Sequence, residues 1–245
     1  VLRGAAIVGQ GVMGDHGSGE RAMISIQVQH MGLRDVPPEF RARFLEERRD
    51  AREAAVVFAR VCEEGRADQL YNAAQWLNEC SSEAWRLAMI KVARLPTVAS
   101  HVRDAFLPIW IESKMLPLRV GNRRVLADAL RVLLPGNYAG LPLSLYRGAS
   151  AGERRRRIYG FSWTTDITIA RKFAEHWAQP APIWGAAPGD GGVILKAVAP
   201  PEAILLMRQP QDYYDEGEVV VDPFRLGQIK LVERLRGPAV TRNPV

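Results

Sequence analysis

Little in this chain of 245 residues points to a covalent or metal-bound framework. It has two cysteines, Cys62 and Cys80, with no Cys-x-x-Cys or Cys/His cluster beside them. That excludes a disulfide scaffold and gives no zinc spacing. Both cysteines fall in helical-looking sequence and are expected to be small buried apolar groups, a usage that fits a reducing cytoplasm. His16, His30, His101 and His176 are scattered, so neither a Ser–His–Asp set nor a metal-ligand set follows from spacing. No apolar run, Phe106–Ile111 among the longest, approaches the roughly 20 residues that cross a bilayer. The start has no charged, then apolar, then cleavage-site pattern. Val1–Gly19 lacks an initiator Met and is rich in Gly, and residues 1–34 are expected to be a poorly ordered leader. Charge of one sign is also missing. The net charge is +6, with 19 basic and 16 acidic residues up to Leu134 and 14 and 11 after it. Each half is therefore +3, with no basic tail: a weak pull on anions is allowed, but a nucleic-acid partner is not required. The charged fraction, 24%, is ordinary for a folded soluble chain, which argues against wholesale disorder.

What is there changes character near residue 135. From Pro37 to Leu134 apolar residues recur at helical spacing. Pro37 and Pro38 suit a helix start, where a missing N–H costs little. Phe40, Phe44, Ala51, Ala55, Phe58 and Val61 or Cys62 then line one helix that Gly65 terminates. A second helix covers about Asp68 to Cys80. A third, capped by Ser81 or Ser82, carries Trp85, Leu87, Met89 and Ile90 and stops before Pro96. A fourth spans about Thr97 to Lys114 and a fifth Asn122 to Leu134. Residues 35–135 are thus expected to form a helical lobe whose large apolar side chains are core.

After Pro135 short strand patterns take over. Leu141–Tyr146 and Tyr159–Thr164 are two, followed by a helix that Asp166 caps and that carries Ile169, Ala170, Phe173, Ala174 and Trp177. A Pro/Gly/Ala-rich loop runs from Gln179 to Gly192. Four more strands are expected at Val193–Ala199, Ala203–Met207, Glu218–Val221 and Gln228–Leu235. One helix among several strands argues for α+β and against a doubly wound sheet. Residues 136–245 form the second expected domain.

Three features of that domain carry chemistry. Arg147 is read as the end of a strand, in Leu145-Tyr146-Arg147-Gly148. Ser162 lies in Phe161-Ser162-Trp163-Thr164-Thr165, just ahead of the capped helix. Glu216 and Glu218 flank Gly217 before Val219-Val220-Val221. Singly, each has an ordinary explanation: a solvated charge, a helix cap, an edge charge that discourages aggregation. Together and in this order they resemble the Arg–Ser–Glu, toxin-like branch of the mono-ADP-ribosyltransferase superfamily. Arg147, preceded by Tyr146, matches its aromatic-Arg; Ser162-Trp163-Thr164 matches its Ser-Thr-Ser, with Trp163 in place of the middle Thr; Glu216-Gly217-Glu218 matches its Glu-x-Glu. The resemblance covers about Leu141 to Leu235 and implies a small split β-sandwich behind the helical lobe.

It also implies an activity: cleavage of the nicotinamide–ribose bond of NAD, the co-substrate, and transfer of ADP-ribose to a macromolecule, without a metal. Cleavage builds positive charge on the sugar, which a carboxylate stabilises, and Glu218 has that expected role. Arg147 offers the always-charged fork suited to the pyrophosphate and ribose oxygens. Ser162 is expected to orient Glu218. Tyr146, Gly148, Trp163, Thr164 and Phe173 complete the expected NAD-binding set, with Tyr159, Phe161, Trp163 and Phe173 the surfaces for stacking. In relatives the position of Glu216 serves the acceptor, so an arginine acceptor in a protein is favoured over nucleic acid. Tyr213 and Tyr214 are acceptor-recognition candidates, and an inhibitor or antitoxin protein is a further expected partner. Arg154–Arg157 reads as a solvated loop, or as a contact to phosphates. Action in the cytoplasm is expected, with secretion by a route lacking a cleavable signal left open. The alternatives are an NAD glycohydrolase on the same scaffold and a non-catalytic binding module.

Overall fold

The computed structural model describes residues 37–113, 115–136, 138–178, 191–208 and 217–236. The expected leader, Glu216, Tyr213 and Tyr214 lie outside the described residues. The chain divides between Leu133 and Leu134 into two compact units.

The first unit is helical. Helix α1 (Pro38–Glu63) begins on a proline at its first position and buries Ala51, Ala54, Ala55, Phe58, Val61 and Cys62. Gly65, at φ +75°, follows its end. Helix α2 (Ala67–Glu79) buries Leu70, Ala73, Ala74 and Leu77, three and four residues apart. Ser81 precedes α3 (Ser82–Val92) as expected, but its side chain makes no capping bond. Helix α4 (Ser100–Glu112) starts three residues later than its pattern suggests and contains Pro108. The short α5 (Leu116–Val120) falls where no helix was expected, and Gly121 at φ +65° ends it. Asn122 then caps α6 (Arg123–Leu133), its Oδ1 accepting from the N–H groups of Arg124 and Val125, both at 3.1 Å. Trp85 sits at the centre, fully buried, with Phe58 edge-on at 5.5 Å. Its indole N–H donates to Asn78 Oδ1 at 2.9 Å, which also accepts from Arg119 at 2.8 Å, so the indole N–H buried with the ring is paired. Cys62 is buried as expected; Cys80 is only half-buried, a correction to its expected place in the core.

The second unit pairs a sheet with two helices. Strand β1 (Leu143–Ser150) leads into α7 (Ala151–Arg156), then β2 (Ser162–Thr164) and α8 (Ile167–Ala178). Next come β3 (Gly192–Ala199), a single 3-10 turn (Pro201–Ala203), β4 (Ile204–Met207), β5 (Glu218–Val221) and β6 (Lys230–Leu235). They form one six-stranded sheet in the order β4-β5-β2-β1-β3-β6, antiparallel throughout. The class is therefore α+β. The sheet is nearly two: β1 pairs β3 through eight residues, Leu143↔Ala199 to Ser150↔Gly192, but meets β2 at the single pair Tyr146↔Thr164.

One face of this sheet buries Leu145, Ala149, Trp163, Val193, Leu195, Val219 and Val221. On the other, α8 lays Ala170 and Ala174 against Ile194, with Tyr146, Ile167 and Leu235 alongside. The close approach rests on two glycines. A Cβ on Gly148 would lie 2.1 Å from the Ala170 carbonyl oxygen, and one on Gly192 1.9 Å from that of Ala174. Asp166 caps α8 as expected, its Oδ1 accepting from the N–H of Thr168 at 2.7 Å.

Three expectations are corrected. Arg147 does not end its strand, because β1 runs three residues further. The second strand is shorter than Tyr159–Thr164 and keeps only Ser162–Thr164. The four arginines are not a loop: Arg154, Arg155 and Arg156 close α7, and Arg157 follows in the left-handed region at φ 54°. No helix among the described residues is long and apolar enough to cross a membrane.

Candidate active site

Of the expected site residues, Tyr146, Arg147 and Gly148 lie on β1, Ser162, Trp163 and Thr164 on β2 and Glu218 on β5, three neighbouring strands, while Phe173 lies on α8. The pair Tyr146↔Thr164 sets a register that, continued, would put Ser162 opposite Gly148. The ladder does not continue. Instead the Arg147 guanidinium takes the Ser162 carbonyl, NH1 to oxygen at 2.7 Å, and so does with a side chain what the next backbone bond would have done. Its NH2 donates to Glu153 Oε1 at 3.3 Å. Gly160 gives the guanidinium room, since a Cβ there would lie 2.4 Å from NH2. Gly160 is held in turn by the indole N–H of Trp163, which donates to its carbonyl at 3.1 Å.

β2 and β5 pair over three residues: Ser162↔Val220, Trp163↔Val219 and Thr164↔Glu218. Paired residues project on the same side of a sheet, so Tyr146, Thr164 and Glu218 form one row across three strands, each about 5 Å from the next. Thr164 is buried, and its Oγ1 accepts from the N–H of Asp166 at 3.1 Å, which ties the row to the start of α8. Glu218 opens β5 just after Gly217, whose φ of +52° lies in the left-handed region. Its carboxylate is 18% exposed, with the guanidinium of Arg208 at 3.9 Å, and the Arg208 N–H donates to the Glu218 carbonyl at 3.1 Å.

Several expected roles change on this geometry. Thr164, not Ser162, lies opposite Glu218; Ser162 is two residues along and exposed. Trp163 is buried on the core face with Val219, and Phe161 is buried too, so neither ring offers a free surface for stacking. Tyr159 is partly buried against the core, and Phe173 is 44% exposed. Gly148 is under α8, where it gives the helix room to pack on β1. Tyr146 is half-buried beneath α8, with the Lys196 ammonium 5.5 Å from its ring centroid. Arg147 leaves β1 on the face of Leu145 and Ala149, whereas Glu218 belongs to the Tyr146–Thr164 row. The two charges therefore approach β2 from opposite faces. Arg147 is a brace between strands before it is anything else.

Two residues here carried no sequence assignment. Glu153 has a signal in retrospect: Ser150-Ala151-Gly152-Glu153 has capping-box spacing directly after a strand. Arg208 has none, since only pairing of β4 with β5 brings it to Glu218. Elsewhere, an open groove of about 470 Å³ lined by Ile90, Arg94, Val125, Asp128 and Arg131 lies in the helical unit and holds none of the expected site residues. Among the described residues no group of three or more His, Cys, Asp or Glu is placed to hold a metal ion. Comparison with protein-family models, with curated proteins and with solved structures finds no match in any of the three.

Proposed function

We propose that this chain is an NAD-dependent mono-ADP-ribosyltransferase that cleaves the nicotinamide–ribose bond and passes ADP-ribose to a macromolecule, an arginine side chain by preference. The observation that carries the reading is the row Tyr146–Thr164–Glu218, on three neighbouring strands, at the point where Arg147 meets Ser162. In this reading the second unit is an ADP-ribosyltransferase-like split β-sandwich. Its two halves, β4-β5-β2 and β1-β3-β6, part at the single pair between β1 and β2.

Glu218 supplies the negative charge facing the sugar as the bond to nicotinamide lengthens, and accepts a ribose hydroxyl. Its largely buried position strengthens that charge relative to bulk water. Thr164 packs beside it from the neighbouring strand, and Phe173 gives an apolar surface at the edge of α8. Arg147 acts first by holding β1 and β2 at their separation. The protein works in the cytoplasm in this account, in keeping with its two free cysteines.

The test is incubation of the purified chain with cell lysate and NAD labelled in its adenylate half, following both nicotinamide release and label on macromolecules. Glu218→Gln keeps the shape and removes the charge, so NAD cleavage should fall by about 100-fold or more with binding retained. Near-normal cleavage by that variant refutes the assignment. Nicotinamide release without labelled macromolecules moves the reading to an NAD glycohydrolase.

A further inference from the structure

Strand β1 runs past Arg147 to Ser150, where the chain turns into α7. Ser150 caps the turn, its Oγ accepting from the N–H of Glu153 at 3.1 Å. In a capping box the Glu side chain would return to the backbone N–H of the capping residue. Here the carboxylate reaches back six residues to Arg147. Both side chains are largely withdrawn from water, 17% and 23% exposed. Arg147 Nε and Glu153 Oε2 are buried and make no hydrogen bond among the described residues. These are the two atoms that would complete a side-on, two-bond fork between guanidinium and carboxylate. The pair therefore stands with one of its two bonds made.

The rest of the guanidinium is confined as well. NH1 is on the Ser162 carbonyl, and Gly160 leaves room for the group with none to spare. Remove the carboxylate, and among the described residues a largely buried cation keeps only a neutral carbonyl partner, an arrangement that favours its escape to solvent. The bond to Ser162 goes with it. β1 and β2 would then be joined by the pair Tyr146↔Thr164 alone.

We propose that Glu153 is a positioning residue of the candidate active site. Its carboxylate holds Arg147 against the Ser162 carbonyl and so sets the separation of β1 and β2 beside Thr164 and Glu218. The step from strand separation to catalysis rests on the NAD reading above; the step from Glu153 to Arg147 does not. Glu153 touches no reacting atom and acts through Arg147, so it belongs to the frame of the site rather than to its chemistry.

The test uses the full chain and two readouts. The first, without NAD, is the solvent exchange rate of the Arg147 Nε–H proton by NMR, the signal being identified by its loss in Arg147→Lys. The second is the KM and kcat of nicotinamide release. In Glu153→Gln the guanidinium loses the bond at NH2 that holds it in its buried place, so exchange at the neighbouring, unbonded Nε–H should quicken by about tenfold or more, the factor by which losing one charge-assisted hydrogen bond raises the population released to solvent. KM should rise by a similar factor with kcat changed far less, and Glu153→Asp should recover part of both. Ser150→Ala removes the cap and keeps both charges; it should move the exchange rate in the same direction by a smaller factor, and carries the test if Glu153→Gln does not fold. Unchanged Arg147 exchange in Glu153→Gln overturns the proposal. So does a lowered melting temperature with exchange and KM unmoved, which would leave Glu153 a stabilising charge only. A wild-type chain that does not cleave NAD, with exchange still quickened in Glu153→Gln, supports the positioning and refutes the NAD reading.

Discussion

Gly148→Ala is the substitution whose effect follows most directly from the packing of α8 on β1. The added Cβ would lie 2.1 Å from the Ala170 carbonyl oxygen, 2.5 Å from the Ala174 nitrogen and 2.7 Å from Phe173 Cβ. Two of these atoms are helix backbone and cannot rotate aside. Restoring an ordinary contact of about 3.5 Å needs α8 to retreat by roughly 1.4 Å, or β1 to bend away by as much. Either movement opens the seam where Ala170 and Ala174 meet Ile194. Overpacking typically costs about 1–3 kcal/mol, and backbone against backbone puts this case at the upper end. For a cooperative unit of about 100 residues, 3 kcal/mol lowers the melting temperature by roughly 12–24 °C. The opposing effect is small: Ala in place of Gly stiffens the unfolded chain and is worth about 0.4–1 kcal/mol in favour of folding. The sign is therefore decisive. Thermal unfolding followed by circular dichroism should show a large fall; an unchanged or raised melting temperature would mean that α8 does not sit on β1 as described. Gly192→Ala adds a check, since its Cβ would lie 1.9 Å from the Ala174 carbonyl oxygen. Both substitutions press on the same turn of α8. Once the helix has moved for one, the other costs less, and the double variant should fall short of the sum by about 1 kcal/mol or more. Strict additivity would argue for two independent local adjustments instead.

Two further outcomes are expected. The Thr168 hydroxyl and N–H, bonded to Asp166, hold its carboxyl below the usual carboxylate range. A folded pKa below the unfolded one gives a stabilisation that is complete above the unfolded value, about 4, and disappears as the pH falls through the folded one. Asp166→Asn keeps the oxygen acceptor of the cap but cannot titrate, so its melting temperature should depend less on pH in that acid range; an identical acid limb would refute the role. Burial pushes the Cys62 thiol up to about 12, and burial chiefly, with Asp50 and Glu79 after it, raises that of the half-buried Cys80. Alkylation of the native protein followed by mass spectrometry should therefore modify Cys80 first and Cys62 only on unfolding; equal rates would contradict the packing of α1.

How much of this was legible in the sequence depended on whether the signal was local. The helices of the first unit announce themselves by runs such as Leu70, Ala73, Ala74 and Leu77, because burying one helical face needs that spacing. Glu218–Val221 was legible as a strand because three valines follow a Gly that admits a left-handed turn. Gly148 reads as punctuation, which puts the expected strand end at Arg147. The glycine instead lets α8 lie close against the strand, and the helix that requires it begins nineteen residues later. The arginines after Glu153 looked like a loop since a helix of six residues has no room to show a period. Glu153 and Arg208 reach the site through pairing and reach-back, neither of which leaves a pattern along the chain.

The relation of Ser162 to Glu218 shows where sequence reading stops. Ser162 and Thr164 are two apart, so both project from the same side of β2, and composition gives either an equal claim to face a carboxylate on the next strand. The choice between them is a choice of register, and one step of two residues exchanges their roles. Register here is fixed by bulk on the other face: Trp163 must lie against Val219, among Leu145, Ala149 and Val221. An indole in that place fills the core and, through its N–H, holds Gly160, which in turn makes room for Arg147. The tryptophan that departs from the motif is thus what aligns Thr164 with Glu218 and leaves the guanidinium room between two strands that a single backbone pair joins.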